Sequence, residues 1–184
     1  MTRKSTARSA LVIIDMINTL DFPEGPQLLR HALPVARRIA RLKARLKSTG
    51  VAAIYVNDNF THWLDDFGEL VAICSQPDAP GAPLAQALAP ENDDYIILKP
   101  QHSAFYNTPL EVLLQQLGIG RVILGGIAGD HCILASAFDA HMRDLEVAVP
   151  RDCIASITPA RNRNALAILR NLGIDTTPST QVPG

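Results

Sequence analysis

Short, almost unbroken apolar runs alternate with amphipathic stretches along this chain. Ala10-Leu-Val-Ile-Ile14 ends on Asp15, Val51-Ala-Ala-Ile-Tyr-Val56 on Asn57, and Tyr95-Ile-Ile-Leu98 on Lys99. Val122 to Leu124 stops at Gly125-Gly126, and Glu146 to Val149 forms a further run. A strand that is apolar on both faces must be covered on both faces, the usual condition of a parallel sheet. Helical stretches between such strands supply the crossovers that parallel pairing needs. The pattern predicts an α/β fold with a doubly wound, mostly parallel sheet of five or six strands. A weak sixth strand is expected at Ile174 to Thr177. The strand order is not legible from the pattern.

The intervening stretches carry helix signals. Leu28 to Lys47 places Leu33, Ala36, Ile39, Leu42 and Leu46 on one side, with its arginines largely elsewhere. Pro34 is expected in the first turn of its main portion, and Gly50 is a stop signal. Asp66 to Ile73 and Leu84 to Leu88 read as short helices, with a proline-rich irregular segment between them. Thr108 to Leu117 has Thr108 as N-cap and Pro109 at the first position. Asp130 to Met142 is a helix, and so is Pro159 to Leu172, between Thr158 and Gly173. No linker or repeat divides the chain. Residues 1–9 read as a flexible tail and residues 10–184 as one domain.

Composition narrows the function classes. The chain has 184 residues, a formal net charge of -1, 47% hydrophobic and 19% charged residues. Nothing in that balance favours nucleic acid, and no apolar run reaches membrane-spanning length. The 3 cysteines, Cys74, Cys132 and Cys153, form no Cys-x-x-Cys pair. A disulfide scaffold and a zinc ribbon are disfavoured, and a cytoplasmic location is expected.

The run Arg121-Val-Ile-Leu-Gly-Gly-Ile-Ala-Gly-Asp-His-Cys132 then becomes informative. A strand breaks at a glycine pair, and a helix starts with a cysteine near its first turn. Helix N-termini carry partial positive charge and free N–H groups, which favour a thiolate and hold an oxyanion. Cys132 by itself is equally well read as a small buried thiol. Asp15 and Lys99 end other strands on the same sheet edge, where open α/β sheets bind ligands. Asp15 can accept the thiol proton, and Lys99 is expected to favour both the thiolate and the carboxylate. The Ala128 and Cys132 amides are the candidate oxyanion hole. His102 and His131 flank this region and read as supporting or surface histidines, while Cys74 and Cys153 read as structural.

These residues resemble the isochorismatase-like cysteine hydrolases. The carriers are Leu11-Val-Ile-Ile-Asp-Met-Ile-Asn18 with Phe22 and Gly25, and Leu98-Lys-Pro100 with Ser103-Ala-Phe105 and Thr108. Gly126-Ile-Ala-Gly-Asp-His-Cys132, Asp139-Ala140 and Arg151-Asp-Cys153 complete the match, which spans Ala10 to about Leu172. The resemblance implies a three-layer α/β/α fold and an Asp15–Lys99–Cys132 triad that hydrolyses small amides or carbamoyl compounds. It also implies a cis peptide between Ile127 and Ala128 that turns the Ala128 N–H into the oxyanion hole. No cofactor is implied, the partner is a small-molecule substrate, and a homodimer or larger homo-oligomer is expected. Phe22, Trp63 and Phe105 are the candidate substrate contacts. Two departures stand out. Gly129 replaces a usual threonine, and the nicotinamidase Asp-x-His metal motif is missing from Asn57-Asp-Asn-Phe-Thr-His62, so no metal is expected.

The leading expectation is therefore a cofactor-independent cysteine hydrolase that cleaves a C–N bond through a thioester. The alternatives are a vinyl-ether hydrolase of the isochorismatase type, which needs no cysteine nucleophile, and a binding protein that keeps the fold without turnover.

Overall fold

The computed structural model describes residues 7–60 and 64–183. Six strands form one parallel sheet in the order β3-β2-β1-β4-β5, with β6 also paired to β4. The strands are β1 (Arg8–Ile14), β2 (Ala52–Asp58), β3 (Tyr95–Lys99), β4 (Ile119–Ile127), β5 (Glu146–Ala148) and β6 (Ile154–Ala155). The helices are α1 (Gly25–Lys47), α2 (Phe67–Cys74), α3 (Ala82–Ala87), α4 (Leu110–Gln116), α5 (Leu134–His141) and α6 (Pro159–Asn171). No helix among the described residues is long and apolar enough to cross a membrane.

Side-chain alternation along β1 builds two cores at once. Leu11 and Ile13 point to one face and join Tyr55 with buried residues of α1, α2 and α3. Ala10, Val12 and Ile14 point to the other and meet residues of α4, α5 and α6. Both faces are covered, so the central strands have no polar face, and all of Ala10 to Ile14 is at most 1% exposed. This is the three-layer α/β/α arrangement.

Several local expectations need adjustment. β1 begins at Arg8, since Arg8 and Ser9 still pair with Ile119 and Arg121. Pro34 lies inside α1, which already begins at Gly25 with a proline in its first turn. The N-cap of α4 is Pro109. Thr108, one residue earlier, still accepts from the Leu110 amide at 3.3 Å and donates its hydroxyl to the Ala104 carbonyl at 2.6 Å. The sixth strand is β6, beside the end of β4; the segment around Ile174 supplies a single bridge between Ala148 and Asp175.

The order determines where a ligand fits. β1 connects outward to β2 on one side and pairs with β4 on the other, so the winding reverses between β1 and β4. Crevices in open α/β sheets form at that reversal, beyond the carboxyl ends of the strands. Asp15 and Gly126–Cys132 leave the sheet there.

Candidate active site

β1 leaves the sheet through Asp15, which adopts a left-handed backbone (φ 55). Aspartate tolerates that conformation better than most residues. Its amide still donates to the Val56 carbonyl at 3.1 Å, so the turn stays anchored to β2. Asn57 holds the following loop from both sides. Its side-chain oxygen accepts from the Ile17 amide at 3.1 Å, and its amide nitrogen donates to the Ile17 carbonyl at 2.7 Å.

β4 leaves through a tighter passage. A Cβ on Gly126 (φ +136) would lie 2.0 Å from the Ile14 carbonyl oxygen, so only glycine lets the two strands run this close. The peptide between Ile127 and Ala128 is cis. One π turn, Gly129–Ile133, then precedes α5. Its wide bond is Ile133 N–H to the Ala128 carbonyl, 3.2 Å. The expected single helix from Asp130 to Met142 is thus a π turn followed by a shorter α-helix, and Cys132 belongs to the turn. π turns are rare and frequently accompany functional sites.

These two exits and the end of β3 converge. Lys99 Nζ lies 2.9 Å from Asp15 Oδ2 and donates to Cys132 Sγ at 3.6 Å. The backbone amide of Asp58 donates to the other Asp15 oxygen at 2.7 Å. Asp15 is 5% exposed and Lys99 1%. His102 Nδ1 approaches Cys132 Sγ to 3.7 Å from the exposed side.

Burial dominates the electrostatics. It raises the Asp15 carboxyl above its ordinary range, although Lys99, Cys132 and the Asp58 amide all pull the other way. Burial also works against the Lys99 charge, but Asp15 and Cys132 outweigh it and the ammonium is held more firmly. Burial, then the Asp15 charge, push the Cys132 thiol up to about 12 against the pull of Lys99. Lys99 pulls towards the thiolate as expected, but burial and the Asp15 charge outweigh it. These shifts favour a neutral thiol at rest beside the buried Lys99–Asp15 pair.

The other candidates fall in different places. Phe22 lies in the loop between β1 and α1 and is 39% exposed. Phe105 is 4% exposed and sits in the core under α4, α5 and α6, with the Arg143 guanidinium 5.0 Å from its ring centre. It belongs to the packing of that face more than to a pocket wall. Trp63 and His62 lie outside the described residues. Cys153 is fully buried, and burial followed by Asp152 pushes its thiol up to about 12. Cys74 is likewise buried and unpaired by any disulfide. A close cluster of metal-type ligands among the described residues, Glu91, Asp93 and Asp94, lies before β3 at the opposite sheet edge. Lys43 and Lys47 already pair with it.

Gly129 has a packing reason of its own. A Cβ there would meet Asn162 Oδ1 at 2.6 Å and Ser156 Oγ at 3.0 Å. Those two side chains hydrogen-bond to each other at 3.2 Å and fill the space a larger residue would need. Two groups at the site were not assigned chemistry from sequence: the Asp58 amide and His102. The first is a backbone donor with no residue signature. The second was visible as a nearby histidine, but its distance to sulfur was not.

Residues 9–181 match the family described as the isochorismatase domain. The chain belongs to the isochorismatase family. It is 36% identical over 168 residues to the uncharacterized isochorismatase family protein YaaI of Bacillus subtilis, covering 91% of this chain and 92% of that one. It is 29% identical over 154 residues to maleamate amidohydrolase of Pseudomonas putida, covering 80% and 72%. Its fold is similar to the crystal structure of an isochorismatase family protein from Desulfovibrio vulgaris, with a TM-score of 0.79, 25% identity and coverage of 95% and 96%. Relatives in this family include amidohydrolases.

Proposed function

We propose that this isochorismatase-family protein is a cofactor-independent cysteine amidohydrolase that cleaves a C–N bond in a small amide or carbamoyl compound. The observation that carries this reading is the convergence of Asp15, Lys99 and Cys132, with Lys99 Nζ 2.9 Å from Asp15 Oδ2 and 3.6 Å from Cys132 Sγ. Similarity to maleamate amidohydrolase supports an amide as the substrate class.

Asp15 takes the thiol proton as sulfur attacks the carbonyl carbon. A carboxyl raised by burial is a stronger base than an ordinary aspartate, which suits this transfer. A thiol pushed up to about 12 is not ionised in advance, so deprotonation accompanies attack. Lys99 stays charged, keeps Asp15 in place and stabilises the sulfur as it loses its proton. The Ala128 and Cys132 amides receive the developing oxyanion, a contribution of about 3 kcal/mol per donor in other acyl-transfer enzymes. Asp15 then returns the proton to the leaving nitrogen, and a thioester remains on Cys132.

The test is ammonia release from a panel of small amides, ureido acids and carbamoyl compounds, with intact-protein mass spectrometry alongside. The reading requires an acyl adduct on Cys132 and loss of turnover in Cys132→Ala. Turnover unaffected by that substitution, or an adduct on another residue, overturns it. Full activity on a vinyl ether in Cys132→Ala would assign the alternative chemistry instead.

A further inference from the structure

We propose that His102 is the general base of the second half-reaction, activating the water that frees the acyl group from Cys132; this rests on the cysteine-hydrolase reading above. Cys132 Sγ has ionisable neighbours of opposite exposure. Beneath it lies the Asp15–Lys99 pair, both at most 5% exposed. On the solvent side is the exposed imidazole of His102, its Nδ1 3.7 Å from sulfur.

The two sides suit different steps. Asp15 already accepts from Asp58 through one oxygen and from Lys99 through the other. Once an acyl group is attached to Sγ, that group stands between Asp15 and bulk solvent. The hydrolytic water arrives from the open side, where His102 is placed. Imidazole is the side chain most often used for such transfers.

His102 is also held in register with the nucleophile. Two residues on, the Ala104 amide donates to Ser136 Oγ at 2.9 Å, and that hydroxyl donates to the Cys132 carbonyl at 2.6 Å. Ser103 hydrogen-bonds to Asp139 of the same helix α5. The loop after β3 and the turn bearing Cys132 are therefore tied into one body. The His102 ring packs beside that of His131, with centroids 5.7 Å apart. His131 in turn has the Arg161 guanidinium 3.4 Å from both its ring nitrogens and Asp130 Oδ2 at 3.4 Å. That arrangement holds the wall against which His102 rests.

The step balances without a further reactant. The water oxygen bonds to the thioester carbon while His102 takes one water proton. The carbonyl electron pair moves to oxygen, held by the Ala128 and Cys132 amides. Its return breaks the C–S bond, and the proton on His102 passes to the departing sulfur. Thioester and water become carboxylic acid and thiol.

p-Nitrophenyl acetate separates the two half-reactions without knowledge of the natural substrate. In the unaltered protein it should release one equivalent of nitrophenolate in a burst and then turn over steadily. His102→Gln should keep the burst rate within about threefold and slow the steady phase by about 10²-fold, the usual scale of general-base catalysis. Acetyl-Cys132 should accumulate in its mass spectrum, and added imidazole should restore deacylation in His102→Ala. Equal deacylation in His102→Gln and the unaltered protein overturns the proposal. So does equal slowing of both phases, which would mark His102 as a positioning residue. No acetyl group on Cys132 of the unaltered protein overturns the nucleophile reading, and the assignment to His102 with it.

Discussion

The two edges of this sheet both bring lysines and carboxylates together, and both hold a buried pair, Lys99–Asp15 at one edge and Lys43–Asp94 at the other, but only the amino edge adds exposed carboxylates. At the carboxyl edge, Lys99 pairs with Asp15, and both are almost sealed from solvent. At the amino edge, Lys43 and Lys47 meet Glu91, Asp93 and Asp94. There, hydrogen bonds from Lys47 hold the exposed Glu91 and Asp93 carboxyls below their ordinary range. At the carboxyl edge, burial drives the single carboxyl upward although it too faces a lysine. The difference teaches that a lysine–carboxylate pair is not a chemical device by itself. Burial alone does not make one either, since Lys43–Asp94 is equally enclosed; what sets the Lys99–Asp15 pair apart is the Cys132 thiol beside it.

Four experiments would break or sharpen that contrast. The largest effect is expected on turnover. Cys132→Ala or Asp15→Asn should lower ammonia release by about 10⁴-fold or more, as in other nucleophile–base pairs, while Lys47→Met should leave it within about twofold. A large loss in Lys47→Met would couple the edges and erase the distinction.

The second effect is on stability. Asp15→Ala leaves Lys99 charged and enclosed, and urea denaturation should show a loss on the order of 3 kcal/mol. Adding Lys99→Met should recover most of it, because a neutral pair removes the unpaired charge. Lys47→Met should shift the urea midpoint only slightly, and less at 1 M salt, where exposed charges are screened. Equal losses at both edges would contradict the burial argument.

The third concerns the turn that carries Cys132. Gly129→Ala forces a Cβ to 2.6 Å from Asn162 Oδ1 and should cost about 1 to 3 kcal/mol. Asn162→Ala in the same chain should recover part of that, and a strictly additive double mutant would show that the crowding lies elsewhere.

The smallest effect is a pH slope. Cys132 and Cys153 are each pushed up to about 12 in the folded chain, from an ordinary thiol near 9.0. A raised folded value means the folded state keeps its proton longer, so stability is full below pH 9 and declines as pH climbs towards 12. Between those limits each thiol adds about 1.4 kcal/mol per pH unit at most. Thermal midpoints should therefore fall above pH 9, less steeply in Cys132→Ser. Iodoacetamide labelling of Cys132 should still be accelerating at pH 10, and a plateau near pH 8 would refute the neutral resting thiol.

Much of this was readable before the fold. Ala10 to Ile14 announces a strand covered on both faces because every residue is apolar, and Asp15 marks its end because a carboxylate cannot continue into that core. The same logic locates Lys99 at the end of β3. It failed at β6, because Ile154–Ala155 is too short to show periodicity and is a strand only because the end of β4 offers a free edge. It failed again at Gly129–Ile133, a π turn whose Gly129 packs against Ser156 and Asn162, residues distant in the sequence. Phe105, a candidate substrate contact from the Ser103-Ala-Phe105 stretch, lies in the core, with Arg143, distant in sequence, over its ring.

By itself, the sequence determined which residues could react and on which edge of a parallel sheet they would emerge, since apolar periodicity and strand ends are local properties. Only the tertiary structure decided the surroundings that shift the protonation of those residues. Burial pushes the Cys132 thiol up to about 12 and raises the Asp15 carboxyl because strands far apart in the chain meet there and exclude water, and the loop after β3 brings the exposed His102 to 3.7 Å from sulfur. Desolvation is a property of everything that surrounds a group, and no local stretch of sequence contains it.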